Sequence, residues 1–480
     1  MASISSIGIG SGLDIESMIT QLIAVERAPV TKLKTEASSL QTKLSTYGKL
    51  QSGLAALRDA AAVLTRSSTW GATVGSSSDA GAVTATTGSS TLPGSYAIEV
   101  QRLASVQSNA TGVYPSADAL VGEGTLHIEL GSWSADQSSF TPKAGTAAVD
   151  ISVGPPAESL AQLRDKINAS NSGVVASVLT DASGARLVLR SAATGEMNGF
   201  RVGVTDSDGN NFDGVGLSAL AYDPSAGILT MAQALAAANA AASLNGLPIA
   251  SASNTLSDVI DGMTLTLGKV TSAPVLVEAK PDTASIRKAL DTFVSAYNDL
   301  NKLIAEQTKY DAASKTAGVL QGDSAAVSMR SQLRGLLGSD AGTSALFSRL
   351  ADVGFDVQTD GSIKLDETKL ANGLANLGDM KKLFAATDAV APADNGIAVK
   401  LRSLADQMLG IDGSINARTE GLRRRIDLNQ DRQEALEDRI AMTEKRLRAQ
   451  YTALDKQMAS LTSLSNYVTQ QIAALNNNDN

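Results

Sequence analysis

The sequence contains no cysteine and a single histidine among its 480 residues. The absence of thiols excludes disulfides, zinc ribbons, iron–sulfur clusters and cysteine nucleophiles. A single histidine, His127, excludes a metal site with two histidine ligands and a Ser-His-Asp triad supported by a second histidine. His127 lies in the alternating run TLHIEL, which is typical of a structural or solvent-facing residue in a strand. We therefore expect a protein that is not an enzyme and that holds no cofactor or metal.

Aromatic residues and positive charge are also scarce. Aromatics make up 4% of the chain and glycine occurs 41 times, so the cores must be built from Ala, Val, Leu and Ile. We expect slender domains rather than one dense globule. The 40 basic and 49 acidic residues give a net charge of −9, which disfavours nucleic acid as a partner because its phosphates need basic groups.

Long apolar runs are missing as well. No run approaches the roughly 18 residues of a membrane span, so no membrane contact is expected. The nearest candidate, residues 231–244, is rich in weakly apolar alanine, which favours a surface helix. The first basic residue is Arg27 and no apolar core precedes it, so a cleaved secretory signal is not expected. These features alone would place the protein in the cytoplasm.

Both ends of the chain show helical periodicity. Near the start, apolar residues share one helical face until Pro29, which lacks an amide proton and predicts a hinge before a second helix. A heptad pattern then begins, and a longer one runs from residue 415 to 475. The residues expected in the coiled coil, or in its contact with a filament, are Leu13, Ile15, Ile19, Leu22, Leu33, Leu40, Leu44, Leu436, Ile440, Leu447, Leu454, Met458, Leu461, Val468 and Ile472.

Polar residues interrupt the C-terminal heptad pattern at positions that would face a partner helix. They are Thr419, Asn429, Gln433, Thr443 and Ser465. Buried polar groups need partners, so these residues would weaken a permanent coiled coil. We interpret the segment as a helix that orders fully on assembly, although periodicity alone favours a static intramolecular coiled coil equally. The basic cluster at residues 423–425 fits a solvated helix face better than a nucleic-acid site.

The middle of the chain shows strand patterns. Short alternating runs such as SYAIEV, RLVLR and MTLTL are separated by turn-forming residues from about residue 73 to 280. Within residues 111–235, ESLAQLRDKINAS followed by GVVASVLTDASGARLVLRS predicts a helix that leads into a hairpin. The run DSDGNNFDG has Asn211 where an EF-hand requires glycine and Leu217 where it requires glutamate, so it predicts β-turns instead of a calcium site.

These patterns predict an α+β multidomain fold. Coiled-coil legs come from both termini, residues 1–42 with 415–480. A helix-rich leg domain comprises residues 43–72 with 282–414. Two β-rich head domains follow. The first comprises residues 73–110 with 236–281, and the second, residues 111–235, is inserted into the first.

Several blocks resemble one family. The run GIGSGLDIESMITQLIAVERAPVTKL at residues 8–33 resembles the amino terminus of the flagellar filament cap proteins, also called hook-associated protein 2. Five further blocks are similar to the same family and follow one another in the order expected of that family. They are DVIDGMTLTL, AYNDLNKLIAEQTKYD, GVLQGDS, LADVGFDVQTDGSIKLDETKL and YTALDKQMASLTSLSNYVTQQIAAL. The resemblance covers about the first 60 residues and most of the chain after residue 255, and is looser between about 110 and 235.

The resemblance implies a secreted, non-enzymatic protein at the tip of the bacterial flagellum. In that family the ends pair as legs and the β domains form a plate. The cap is a homo-oligomeric ring, expected to be a pentamer on the filament, that promotes folding and insertion of exported flagellin. Export runs through the flagellar type III system without a cleaved signal peptide. The expected partners are further copies of the chain, flagellin and an export chaperone on the C-terminal helix.

Two alternatives stay open from the sequence. Another flagellar axial or junction protein would share helical ends and a β middle. A surface adhesin that binds host glycans through the head would have the same organisation, with cell adhesion as an added role. An enzyme is disfavoured by the single histidine and the missing cysteine.

Overall fold

A computed structural model describes residues 14–88 and 90–478. The chain divides into two compact units, Met1–Trp70 with Ala284–Asn480, and Gly71–Thr283. Long helices in the first unit and sheets in the second confirm the predicted α+β class. The finer division into four domains stays a prediction. Within the described ranges, no helix combines the length and apolarity that a membrane span requires.

The helices are numbered in chain order. They are α1 (Ile15–Glu26), α2 (Ala28–Leu64), α3 (Ser67–Trp70), α4 (Leu160–Ala169), α5 (Thr283–Thr308), α6 (Ser324–Leu337), α7 (Glu367–Ala375), α8 (Leu377–Ala385), α9 (Ile397–Leu409) and α10 (Ser414–Asn478).

The strands are numbered in the same way. They are β1 (Thr73–Ser77), β2 (Val83–Thr87), β3 (Gly94–Arg102), β4 (Ser108–Ala110), β5 (Gly124–Trp133), β6 (Phe140–Pro142), β7 (Val149–Val153), β8 (Val174–Asp181), β9 (Gly184–Ser191), β10 (Gly199–Asp206), β11 (Tyr222–Asp223), β12 (Ile228–Leu229), β13 (Ala232–Leu235), β14 (Ala240–Leu244), β15 (Leu247–Ser251), β16 (Thr255–Ile260), β17 (Met263–Leu267), β18 (Val275–Pro281), β19 (Tyr310–Asp311), β20 (Thr316–Ala317), β21 (Phe355–Val357) and β22 (Ile363–Leu365).

The first unit is built around α2. Its apolar residues recur every three or four positions, so Leu50, Leu54 and Leu57 share one face. They are fully buried in a core to which α5 to α9 also contribute. Aromatic contacts close the far end of this core, where Trp70 stacks on Phe384 with ring centroids 5.6 Å apart. The hairpin of β21 and β22 forms around Asp360-Gly361, a pair typical of tight turns, with Gly361 at a φ of +86°.

The second unit contains two layered cores. A five-stranded sheet in the order β1-β18-β3-β14-β15 and a three-stranded sheet in the order β16-β17-β2 enclose the first core. The outgoing strand β3 pairs with the returning strands β14 and β18.

The second core lies within residues 111–235 and their flanks. A six-stranded sheet runs β12-β11-β10-β5-β6, with β7 also paired to β5, and a four-stranded sheet runs β13-β4-β9-β8. Helix α4 begins with a capping box in which Ser159 and Gln162 satisfy each other's backbone amides. It leads into the β8–β9 hairpin, as predicted, and its buried residues join the same core.

The prediction of a surface helix at residues 231–244 was wrong. This segment forms β13 and β14, and Ala242 of β14 pairs with Val100 of β3. Ala240 and Ala242 are buried in the core between the sheets. The pairing and burial available in the tertiary structure outweigh the helix propensity of alanine, which is a weak preference.

The second unit also contains residues 206–214 and His127, which the sequence predicted to be a turn segment and a strand residue. The run at residues 206–214 forms turns, as predicted, with Asp213 accepting from the amide of Val215 at 2.9 Å. His127 lies on β5, with Nδ1 2.6 Å from an oxygen of Asp150 and Nε2 3.0 Å from Oγ1 of Thr205. The ring therefore links three adjacent strands, β7, β5 and β10.

Gln107 joins the two sheets that enclose the second core. Its fully buried amide donates to the carbonyl of Phe200 at 2.8 Å and accepts from the amide of Phe200 at 3.0 Å. Gln107 directly precedes β4, whereas Phe200 belongs to β10. This side chain therefore gives the buried amide of Phe200, on the opposite sheet, its acceptor.

Gln107→Leu should destabilise the second unit by about 1–3 kcal/mol, because the amide of Phe200 loses its acceptor inside the core. Trp133 donates to the carbonyl of Phe200, so its fluorescence in a Trp70→Phe background reports urea unfolding of this region. Gln101→Leu is the control, since this glutamine is exposed on β3, and should stay within about 1 kcal/mol. Equal costs for both variants would refute the bridging role.

Candidate functional site

The terminal helices are α1, α2 and α10. In the first unit, α10 runs antiparallel to α1 and α2. Ion pairs fix this direction, since Glu16 contacts Arg448 at 2.6 Å and Lys34 contacts Glu437 at 2.9 Å. The carboxylate of Asp14 caps α1 by accepting from the amide of Ser17 at 3.0 Å. Helix α1 therefore runs beside the middle of α10.

A small apolar cluster holds α1 against α10. Ile15, Ile19 and Ile23 repeat every four residues and are at most 5% exposed. They meet Val30 of α2 and Ile440 of α10, and the partly buried Leu436, Leu447 and Tyr451 pack around them. Five of the predicted residues, Ile15, Ile19, Leu436, Ile440 and Leu447, therefore lie together.

Leu22 lies apart from this cluster. It is 44% exposed and shares a helical face with Met18, 40% exposed, and Val25, 73% exposed. We call these three residues the outer stripe of α1. Helix α1 thus has a broad apolar arc, of which α10 covers one half.

The three predicted residues of α2 lie outside the cluster around Ile15 and Ile440. Leu40 is buried and Leu44 is partly buried, and both pack in the large helical core of the first unit. Leu33 is half-buried. Leu13 lies outside the described residues.

The predicted residues beyond Tyr451 are exposed. Their exposed fractions are 42% for Leu454, 37% for Met458, 57% for Leu461, 47% for Val468 and 53% for Ile472. We call these five residues the distal stripe of α10. None belongs to an apolar cluster of the part of the chain that the structure describes. Their role in a contact stays a prediction.

Pro29 lies in the first turn of α2, where a missing amide proton costs no hydrogen bond. Between α1 and α2, Arg27 has helical dihedral angles, with φ −78° and ψ −14°. Its amide donates to the carbonyl of Ile23 at 2.9 Å, and its carbonyl accepts from the amide of Thr31 at 3.0 Å. The helical hydrogen bonding thus resumes directly beyond the proline, and hinge motion there stays a prediction.

The buried polar residues of α10 have partners on their own helix. Asn429, 4% exposed, accepts from the side-chain amide of Gln433 at 2.6 Å. Thr419, 7% exposed, donates to the carbonyl of Asn416 at 2.9 Å. These hydrogen bonds offset the cost of placing polar side chains at the seam.

Three helices meet at Asp323. One carboxylate oxygen accepts from the hydroxyl of Tyr47 on α2 at 2.6 Å, and the other accepts from Arg418 on α10 at 2.7 Å. The same carboxylate caps α6 through the amides of Ala325 and Ala326. The side chain of Asp323 is 6% exposed and that of Arg418 is 42% exposed.

The electrostatics of this network keep Asp323 ionised. Burial alone would raise the pKa of Asp323, but hydrogen bonds from Tyr47 and Arg418 hold the pKa below its ordinary value. Burial, followed by the contact with Asp323, raises the pKa of Tyr47. Sequence reasoning missed this site. A signal was present, because an aspartate directly before Ser-Ala-Ala in GVLQGDSAA is typical of a helix cap.

Asp323→Ala should destabilise the first unit by about 2–4 kcal/mol, through loss of the cap and of charged hydrogen bonds to Tyr47 and Arg418. Asp366→Ala is the matched control. Asp366 caps α7 with two similar amide contacts, and its loss should cost about 0.5–2 kcal/mol. Urea denaturation followed by circular dichroism measures both. Equal costs would mean that the network adds nothing to the cap.

The stability difference between the natural chain and Asp323→Ala should depend on pH. Because the pKa of Asp323 is lowered by folding, its contribution is complete above the unfolded value of about 4 and is lost as pH falls through the folded pKa. The stability difference between the natural chain and Asp323→Ala should therefore shrink as pH falls from about 5 towards 3. A difference that grows with acid would contradict this assignment.

No metal centre is indicated in residues 14–88 or 90–478, since no three His, Asp or Glu side chains there are grouped suitably. The terminal helices are therefore the strongest candidate for a functional surface. They could bind further helices through the apolar side chains that are exposed on α10 far from Asp323.

Comparison with known families agrees across the chain. The profile described as flagellar hook-associated protein 2 N-terminus matches residues 11–107, and that of the C-terminus matches residues 237–463. A profile described as flagellin hook IN motif matches residues 139–193. The matched ranges include α1, most of α10 and Asp323.

Individual relatives extend the match to nearly the whole chain. Flagellar hook-associated protein 2 of Escherichia coli K12 is 32% identical over 486 residues, which covers 98% of each chain. The B-type protein of Pseudomonas aeruginosa is 30% identical, with 99% of this chain and 98% of that one covered. The crystal structure of the flagellar cap protein FliD from Escherichia coli, domains D1-D2-D3, superposes with a TM-score of 0.60 at 29% identity, over 79% of this chain and 99% of that one. The chain belongs to the flagellar hook-associated protein 2 family.

Proposed function

We propose that this chain caps the distal end of the bacterial flagellar filament as a ring of identical copies. The ring promotes the folding and insertion of flagellin that is exported through the filament. Membership of the hook-associated protein 2 family over nearly the full length carries this proposal. The crystal structure with similar domains is described as a flagellar cap protein, which supports the same role.

The terminal helices act as legs in this proposal. Their anchored part is the region around Asp323, Tyr47 and Arg418, and their binding part is the distal stripe of α10. Insertion of each flagellin requires the legs to release and rebind. The small size of the cluster around Ile15 and Ile440 supports such motion, because regions with few buried apolar contacts open at low free-energy cost.

The proposed role requires binding energy and shelter for a folding chain, without chemical catalysis. Location at the tip of the flagellum and export by the flagellar type III system, without a cleaved signal peptide, follow from the same proposal. Before export, the exposed distal stripe is a liability for aggregation. A chaperone that covers the C-terminal helix until export removes that liability.

Deleting the gene in its own host should leave short or absent filaments, abolish swimming and release monomeric flagellin into the medium. Electron microscopy of cells and immunoblots of culture supernatants measure these effects, and a plasmid copy of the natural gene is the control. Normal filaments with flagellin retained on the cell would refute the capping role.

Leu461→Ser with Val468→Ser should abolish capping and weaken chaperone binding while leaving the melting temperature nearly unchanged, because both side chains are about half exposed. Motility and flagellin release of the complemented deletion strain measure capping, and co-purification measures chaperone binding.

The matched control places two alanines on the opposite face of the same helix, Ser463→Ala with Gln470→Ala, and should retain both functions. Removing residues 454–480 should reproduce the loss, because this cut keeps Tyr451 and the cluster around Ile440. Full motility of the Leu461, Val468 variant would contradict the role of the distal stripe.

A further inference from the structure

Two stretches of chain connect the two cores of the second unit. Residues 103–107 lead from β3 to β4, and residues 236–239 lead back from β13 to β14. The stretches pair with each other, because the amide of Ser105 donates to the carbonyl of Ala238 at 3.0 Å and the amide of Ala238 donates to the carbonyl of Ser105 at 3.2 Å. We call these two stretches the joint.

Buried apolar packing does not extend across the two cores. Among the described residues, the buried apolar side chains form one cluster in each core, and neither cluster includes residues of the other. Folded bodies that share no large apolar interface are expected to move relative to each other. The polar contacts at the joint therefore decide whether the two cores move separately.

A loop of the second core makes such contacts. Residues 192–198 connect β9 to β10, and we call them the latch loop. The amide of Gly195 donates at 3.1 Å to the carbonyl of Ser105, which also accepts from the amide of Ala238. Both stretches of the joint and the latch loop therefore meet at one oxygen atom.

Two further hydrogen bonds tie the latch loop to the first core. The amide of Glu196 donates at 3.0 Å to Oδ1 of Asn239, which directly precedes β14. The hydroxyl of Thr194 donates at 2.7 Å to the carbonyl of Ala252, which directly follows β15. The loop thus bridges from the second core to two segments of the first.

Gly195 allows this close approach of the latch loop. Its φ is +104°, a backbone conformation that residues with a side chain rarely adopt. A Cβ atom at this position would lie 2.6 Å from Cβ of Ala252, well inside van der Waals contact. Both the conformation and the space require glycine, so one substitution at this position breaks the contact.

We propose that the latch loop holds the two cores at one angle, and that its release turns the joint into a hinge. The loop is held by hydrogen bonds with little apolar burial, since Glu196 is exposed and Met197 is 36% exposed. Such contacts open at a lower free-energy cost than a packed core. The proposal is independent of the proposed ring, because every contact lies within one chain.

Hydrogen exchange of the full chain, measured by mass spectrometry, tests the latch. In the natural chain, peptides from the joint should exchange faster than peptides from β5 and β10, because the joint opens without unfolding either core. Gly195→Ala should speed exchange at the joint by about tenfold, the factor expected from forcing one alanine into a left-handed conformation, and leave β5 and β10 unchanged.

Gly209→Ala is the matched control. Gly209 also has a positive φ, +86°, but an added Cβ would meet no atom within 4 Å. The backbone strain is therefore similar, while the joint should exchange as in the natural chain. Thr194→Val is a second, milder variant that removes only the hydrogen bond to Ala252, and it should speed exchange at the joint by about threefold.

Equal exchange at the joint in Gly195→Ala and Gly209→Ala would overturn the proposal. So would a joint that exchanges as slowly as β5 in the natural chain. Faster exchange that extends to β5 and β10 would overturn it as well, because the loop would then stabilise the second core instead of fixing the angle between the cores.

Spin labels measure the hinge directly, since the chain has no cysteine of its own. Labels on Leu179→Cys of β8 and Leu276→Cys of β18, both exposed positions, report one distance between the cores. An excess of unlabelled chain restricts the measurement to pairs within one molecule. The distance distribution should broaden with Gly195→Ala and stay narrow with Gly209→Ala. Equal widths in the two variants would overturn the hinge.

Discussion

The buried carboxylate of Asp323 is the constraint on which the helical unit depends. It joins α2 through Tyr47, α10 through Arg418 and the start of α6 through two backbone amides. Because three elements share one charged acceptor, none of them can shift without leaving a buried polar group unpaired. The base of the terminal helices is therefore fixed in position, and what varies along the chain is the strength of packing beyond that base.

Close packing of the apolar seam of α10 extends as far as Ile440 and ends before Leu454. Leu422 is 1% exposed, Ile440 is 5% exposed, Leu454 is 42% exposed and Ile472 is 53% exposed. One uninterrupted helix thus passes from the interior of a folded unit to a surface whose apolar side chains face water. A rigid element of this kind transmits the position of its base to its far end, while leaving the far end available for other molecules.

Periodicity could predict the helices, because apolar residues three and four positions apart need a common partner whatever that partner is. The turn at Asp360 and Gly361 in the β21–β22 hairpin is likewise a local property of the sequence. Alanine content gave a wrong helix at Ala240 and Ala242, where burial against distant strands decides the structure. The network at Asp323 was beyond reach for a related reason, because Tyr47 and Arg418 lie 276 and 95 residues away in sequence. Local patterns identify elements, and long-range chemistry decides which of them are fixed.

The hydrogen-bond partners differ between the region around Asp323 and the seam of α10 against α1 and α2. Near Asp323, the partners lie on different helices, so separating Tyr47 from Asp323 would leave the hydroxyl of Tyr47 without its acceptor. Along the seam, Asn429 bonds Gln433 and Thr419 bonds Asn416, and all four residues belong to α10. When α10 moves away from α1 and α2, these polar groups keep their partners, and the cost is confined to apolar surface and exposed ion pairs. In the proposed role, a leg built in this way would release and rebind at its far end without unfolding around Asp323.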